Sequence, residues 1–196
     1  MTLFMDLGIT ILRVAIGTTL SWLCGLGLGF LCYRYRSVNQ WMLPPVNFIR
    51  HIPALAWLPL IIVIAGIGEV AVGLVLLISM SFHGVIVSKE MFRKLPREQI
   101  EQARLDGANG FKLLWEIEIP LAAPGMIDLF RVLWGVGWSA VIAAEMLGVS
   151  SGMGFRLMDF RYLLRYQDML IYITAIGLIG VIWDIALTRL RARFEQ

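Results

Sequence analysis

Charge is scarce in this sequence: Asp, Glu, Lys and Arg make up 16% of its 196 residues, against roughly a quarter in ordinary soluble domains. With 59% of residues apolar before its 19 glycines are counted, a soluble enzyme of ordinary type is excluded at the outset. Cysteine is almost missing as well. Cys24 and Cys32 lie eight positions apart in one apolar helical stretch, about 12 Å along its axis, too far to bridge within that helix. His51 and His83 are isolated from other ligand-type residues, so no metal chemistry is expected. No glycine-rich loop carries a phosphate-binding lysine, so this chain is expected to bind no nucleotide cofactor itself. A cleavable signal peptide is not expected either, because the N-terminus has Asp6 and no basic run before its first apolar stretch. Internal repeats, low-complexity tracts and flexible linkers are absent, which predicts one transmembrane domain over residues 1–196.

What is present is oil in long blocks. The 17 basic residues exceed the 14 acidic ones by three but form no continuous stripe, which argues against nucleic acid and turns the positive balance into a question of membrane topology. Residues 7–32 are apolar or small except for Arg13 and a few hydroxyls, enough to cross a hydrocarbon core of about 30 Å. Within them the spacing of Gly25 and Gly29 permits close backbone approach to a neighbouring helix, either inside one subunit or between two. The next apolar block, 52–82, is broken by Gly66-Ile67-Gly68-Glu69 and flanked by basic residues on both sides. If both flanks lie in the cytoplasm, the chain crosses twice between them, as 52–67 and 70–87 joined by a tight external turn. Pro53 and Pro59 make the first of these short and broken, and both are candidates for a gate or pathway.

Further spans are expected at 119–147 and 169–187, for five crossings with the N-terminus outside and the C-terminus in the cytoplasm. Twelve of the 17 basic residues then fall in cytoplasmic segments, including Arg34, Arg36, Arg50, Arg189, Arg191 and Arg193, and three in an external loop. The fold class predicted is an all-α polytopic membrane protein.

Residues 88–120 are the polar exception. Pro96 suits a helix start with Glu98 and Glu101 near its positive end, and Gly107 and Gly110 suit a stop or turn. One face of this short helix presents Ile100, Ala103 and Gly107, left exposed unless another body covers them, and a second short helix over 111–119 returns the chain to the membrane. The whole reads as a compact hairpin for docking.

Glu101-Gln102-Ala103, then Gly107, then Ile117-Glu118-Ile119-Pro120 resemble the EAA motif of bacterial ABC-importer permeases. Gln102 stands where that family usually has Ala, and Ile119 where it has Leu. A stretch from Arg50-His51-Ile52-Pro53 through Trp57-Leu58-Pro59 to Gly66-Ile67-Gly68, and a second one, Ala144-Glu145-Met146-Leu147 followed by Gly152-Met153-Gly154, are similar to the nitrate/sulfonate/taurine group. The resemblance covers nearly the whole chain and implies the five-helix type I importer core; typical members have a further N-terminal helix.

It further implies a coupling helix in which Glu101, Gln102, Ala103, Gly107 and Pro120 meet an ATPase subunit. The partners implied are two ATP-binding cassette subunits that use ATP and Mg, a second, identical permease subunit, and an extracytoplasmic solute-binding protein. The implied setting is the bilayer of a bacterial inner membrane. The implied cargo is a small anion such as nitrate, bicarbonate, taurine or an alkanesulfonate, with a pyrimidine-like vitamin precursor as the alternative. A secondary transporter built on broken spans is the rival reading.

Charges in or beside the spans complete the candidates. Asp128 and Arg131, three apart on one helix, are expected to pair. Glu145, near the external end of its span, is expected to be either a gate or a helix-cap partner, and Asp184 an anchor for the last helix. Asp159 and Arg161 are expected to shape an external loop.

Overall fold

The computed structural model describes residues 2–192, so the expectation for Arg193 lies outside the described residues. Nine α-helices appear there. In order they are α1 (Thr2–Arg34), α2 (Arg36–Arg50), α3 (Ala54–Ala65), α4 (Glu69–Arg93), α5 (Arg97–Leu105), α6 (Gly110–Leu113), α7 (Ile119–Gly148), α8 (Met153–Tyr162) and α9 (Tyr166–Ala192). A π-type turn over Leu114–Glu118 joins α6 to α7.

Four helical stretches are long and apolar enough to cross a membrane: Leu3–Arg34, Glu69–Arg93, Gly110–Gly148 and Tyr166–Ala192. A fifth crossing exists only if α2 and α3, bent by 97° at their junction, count as one broken span. The expected span at 52–67 is therefore corrected. Helix α3 has 12 residues, about 18 Å at 1.5 Å each, little more than half a hydrocarbon core. The chain reaches it through α2, which has no span-like composition and keeps helical geometry through Pro44 and Pro45.

The centre of the bundle is the α1–α4 pair with α7 laid against both. Close approach explains the glycines: a Cβ on Gly25 would stand 2.8 Å from the Gly84 Cα, and one on Gly29 would stand 2.6 Å from the Ser88 side chain. The small residues of α1 thus fit the small residues of α4 inside one subunit. Around this seam Val14, Leu58, Val72, Leu76, Met80, Leu129, Leu133 and Val141 are fully buried. Outward faces stay apolar, with Val63 and Ile64 of α3 and Leu170, Leu178 and Ile182 of α9 exposed, as expected where hydrocarbon rather than water is the solvent.

The two ends of the bundle differ. At one end, the N-terminal part of α1, the α3–α4 turn and the α7–α8 connection meet, and the Gly68 N–H donates to the Gly148 carbonyl at 2.8 Å. At the other, α5 and α6 close over the end of α4 and the start of α7, where Phe92, Leu95, Ile100, Ala108, Leu113 and Ala122 form a small separate core.

Candidate functional site

Glu145, near the C-terminal end of α7, is fully buried, and a buried carboxylate needs compensation. Three groups supply it. The Thr10 hydroxyl sits 2.9 Å from both of its oxygens, Arg13 Nη1 donates to Oε1 at 2.7 Å, and the Gly154 N–H donates to Oε2 at 2.9 Å. Thr10 Oγ1 in turn accepts the Met153 N–H at 3.0 Å. Helices α1, α7 and α8 therefore converge on one carboxylate.

Glycine makes this cradle possible. Gly152 has φ +98°, and a Cβ there would stand 2.4 Å from Glu145 Oε1; a Cβ on Gly154 would stand 2.2 Å from the Ile142 carbonyl oxygen. The Ala-Glu-Met and Gly-Met-Gly segments of the sequence thus meet in space.

Arg13 is the hub. Its five N–H groups are all used: Nε to Glu69 Oε2 at 2.7 Å, Nη1 to Glu145 and to the Ser151 carbonyl at 2.9 Å, and Nη2 to Glu69 and to Ser151 Oγ at 2.7 Å. Its side chain is 8% exposed while that of Glu69 is 67% exposed, so the guanidinium links a buried carboxylate to one facing outward. Beside this cluster, Asp6 accepts from Arg156 Nε at 3.1 Å and from the Tyr172 hydroxyl at 2.9 Å. The hydrogen bond to Asp6 holds the Arg156 guanidinium above its ordinary pKa. Sequence reasoning singled out Glu145 but not Thr10, Arg13, Glu69 or Ser151. The available signal was Arg13 itself, a lone cation in an apolar run, which needs a partner somewhere in the bundle.

Other candidates lie elsewhere. Pro53 caps the start of α3 and Pro59 stands inside that helix, and neither belongs to the Glu145 cluster. Asp128 and Arg131 do not pair with each other. Arg131 Nε donates to Asp184 at 2.6 Å on α9, and Arg191 of α9 meets Asp128 at 3.2 Å. Both charges on α7 thus reach across to α9 instead of to each other, and the two ion pairs tie α9 to α7 at two points. Asp159 pairs with Arg156 at 3.3 Å.

At the opposite end, Glu101, Gln102 and Gly107 are exposed, Ala103 is half-buried and Pro120 opens α7. Helix α5 ends in a Schellman motif: the Ala108 N–H donates to the Ala103 carbonyl at 2.9 Å and the Gly107 N–H to the Arg104 carbonyl at 3.1 Å. Gly107 supplies the required φ of +91°. The expected exposed face is corrected here. Ile100 is buried in the chain's own core and Ala103 packs against it. The apolar side chains left uncovered are Leu105, Phe111 and Trp115, which are 88%, 74% and 55% exposed.

Helices of membrane-spanning length with a polar hairpin at one end and an ionic clasp at the other define a multi-span membrane subunit. The sequence profile described as "Binding-protein-dependent transport system inner membrane component" matches residues 3–196, and the chain belongs to that family of ABC-importer permeases. A putative ABC transporter permease of Methanocaldococcus jannaschii is 34% identical over 177 residues, 90% of this chain and 66% of the relative. The taurine transport system permease TauC of Escherichia coli is 27% identical, covering 98% of this chain and 70% of TauC. The bicarbonate permease CmpB of Synechococcus elongatus is 29% identical, covering 88% and 62%. In fold, the chain is similar to the membrane subunit in an inward-facing structure of the MetNI methionine ABC transporter. The TM-score is 0.85 at 19% identity, over 98% of this chain and 96% of that one.

Proposed function

We propose that this chain is the membrane half of an ATP-driven importer for a small anion of the nitrate, bicarbonate, taurine or alkanesulfonate type. The observation that carries this reading is the family match over residues 3–196 together with relatives named as taurine, bicarbonate and aliphatic sulfonate permeases. In the assembled transporter two identical copies pair about a two-fold axis, two ATP-binding cassette subunits dock on the α5–α6 hairpins, and an extracytoplasmic binding protein delivers solute to the end that holds Glu145. The N-terminus is outside, the C-terminus is cytoplasmic, and the membrane is the bacterial inner membrane. ATP and Mg are used by the partner subunits; the permease does no covalent chemistry.

The hairpin is built to transmit force. Ile100 of α5 and Leu113 of α6 are locked into one small core with Phe92 of α4 and Ala122 of α7. A push on the exposed Glu101, Leu105 and Phe111 surface therefore moves the ends of two core helices, rather than bending a loose loop. Closure of the ATPase pair biases two arrangements of α4 and α7, which is alternating access.

Co-expression with an ATP-binding cassette subunit and a solute-binding protein of the same organism, followed by uptake into proteoliposomes, tests the reading. ATP-dependent accumulation of one of these anions is expected. Uptake driven by an ion gradient, with no ATPase present, would overturn it.

A further inference from the structure

The 97° bend between α2 and α3 leaves a cavity of about 340 Å³ against the middle of α4 and α7, within the usual size range of small-molecule sites. Its depth follows from helix arithmetic. Ser79 and His83 on its wall stand ten and fourteen residues into α4, which starts at Glu69, and Ser139 stands nine residues before the end of α7 at Gly148. At 1.5 Å per residue these lie about 14–21 Å below the end of the bundle that holds Glu145, near the middle of a hydrocarbon core about 30 Å thick. Helix α3, about 18 Å long, starts at the same depth, so its N-terminus opens on the cavity instead of on the membrane surface.

The lining has one sign. It includes Arg50, His51 and His83, and no Asp or Glu among the described residues. Arg50 Nε is buried and makes no hydrogen bond, and among the described residues no carboxylate pairs with this guanidinium. Arg50 as a whole is half-buried, and a partly desolvated cation without a counter-charge favours an anionic partner. Among the described residues the other arginines that are buried or half-buried, Arg13, Arg131, Arg156 and Arg191, each pair with a carboxylate.

Further donors surround Arg50. The first turn of α3 contributes Ala54 and Leu55 to the wall, with the orphan amides and positive dipole end of a helix start. Ser79 and Ser139 hydroxyls bond back to their own helices, at 2.7 and 3.3 Å, and one χ1 rotation turns either toward a ligand. His83 Nδ1 lies 2.8 Å from the Ser79 carbonyl, which leaves Nε2 for a ligand.

We infer that this cavity is an oxyanion site within the translocation pathway, with the Arg50 guanidinium as its charge-bearing, specificity-determining group. The ligand is a small sulfonate, carboxylate, nitrate or bicarbonate ion. This inference rests on the importer reading and deepens it by naming the group in the membrane that selects for charge. A half-length α3 suits the task, since its N-terminus is a polar element held at mid-depth where an unbroken helix would present only side chains.

The test uses the full transporter, permease with ATPase and binding protein, in proteoliposomes supplied with radiolabelled taurine, bicarbonate and nitrate in separate runs. For the anion that wild type imports, Arg50→Gln is expected to lower uptake per assembled complex at least ten-fold, Arg50→Lys to restore most of it, and Ser139→Ala to cost a few-fold. Complexes are counted by gel filtration so that poor folding is not read as poor transport. Wild-type uptake per complex in Arg50→Gln would overturn the site and leave the importer reading intact. So would loss of a tightly held anionic lipid from Arg50→Gln in native mass spectrometry with transport unchanged, because the cation would then hold a headgroup. Import by wild type of none of these three anions, nor of a short alkanesulfonate run beside them, would overturn both readings.

Discussion

Arg13 of α1 and Glu145 of α7, 132 positions apart in sequence, meet at 2.7 Å with the carboxylate wholly buried. Each is the other's compensation, and Arg13 extends the link to Glu69 on α4. Removing Arg13 leaves Glu145 buried without a counter-charge, a loss of about 3–5 kcal/mol in measured buried pairs, whereas removing Glu145 leaves Arg13 its pair with Glu69. Arg13→Met is therefore expected to lower the thermal midpoint of the purified protein sharply. The double variant Arg13→Met with Glu145→Gln should recover part of that loss. If the double variant is as unstable as the sum of the two singles, the pair is not coupled.

Glu145→Gln on its own asks a different question. An amide keeps one oxygen to accept from Thr10 or the Gly154 N–H, but places an NH2 group where Arg13 or the glycine cradle now donates. Packing should survive while the 148–154 segment loosens from α1. Uptake per assembled complex and inter-helix distances with and without nucleotide are both expected to change. Normal values for both would remove Glu145 from any gating role, even if less protein were recovered.

Gly107 separates two explanations of a glycine at the coupling hairpin. A Cβ there would meet nothing within 4 Å in this chain, yet φ is +91°, a conformation costing an L-residue about 1–2 kcal/mol. If backbone geometry governs, Gly107→Ala should weaken ATPase-subunit association several-fold, and Gly107→Asn less, since Asn tolerates left-handed geometry. If close approach of the partner governs, Gly107→Ala and Gly107→Asn should order by size instead. Co-purification of the ATPase with each variant decides between them.

How far this could be read beforehand depended on range. The hairpin and its turn followed from local spacing, Pro96 to Gly107 to Pro120, because a capped short helix is specified by neighbours in sequence. The α1–α4 seam was half legible: Gly25 and Gly29 announced a close contact, but Gly84 and Ser88 as its other side depend on how two distant helices cross. Helix α2 was missed because its polar start and Pro44-Pro45 resemble a loop, while its Val46 packs against Cys32 and Val85 for reasons no local pattern reveals. The same limit misdirected Ile100 toward a partner and Arg131 toward Asp128. Periodicity identifies an apolar or charged face, and only the tertiary fold says what meets it.

The seam itself can be tested by contrast within one helix. Gly8→Ala and Gly27→Ala add a methyl where nothing stands within 4 Å, whereas Gly25→Ala puts one 2.8 Å from the Gly84 Cα. The first two are expected to leave stability unchanged or raise it by up to about 1 kcal/mol through helix propensity. Gly25→Ala forces α1 and α4 apart, and overpacking of this sort costs about 1–3 kcal/mol. Thermal unfolding of the three variants in detergent gives the order; equal midpoints would mean that the crossing is looser than 2.8 Å implies.

Sidedness is the last expectation and the labelling sites can now be chosen on structure. Position 152 is unsuitable for an external cysteine, because its side chain would collide with Glu145. Tyr162, 75% exposed at the end of α8, serves instead, with exposed Ser37 and Asn109 for the other end. In a variant lacking Cys24 and Cys32, an impermeant thiol reagent added to intact cells should modify Tyr162→Cys and spare Ser37→Cys and Asn109→Cys until the membrane is opened. The reason is electrostatic: residues 89–112 carry six basic side chains, and such clusters stay in the cytoplasm. Labelling of Asn109→Cys from outside would invert the orientation and place the α5–α6 hairpin beyond the reach of any cytoplasmic ATPase.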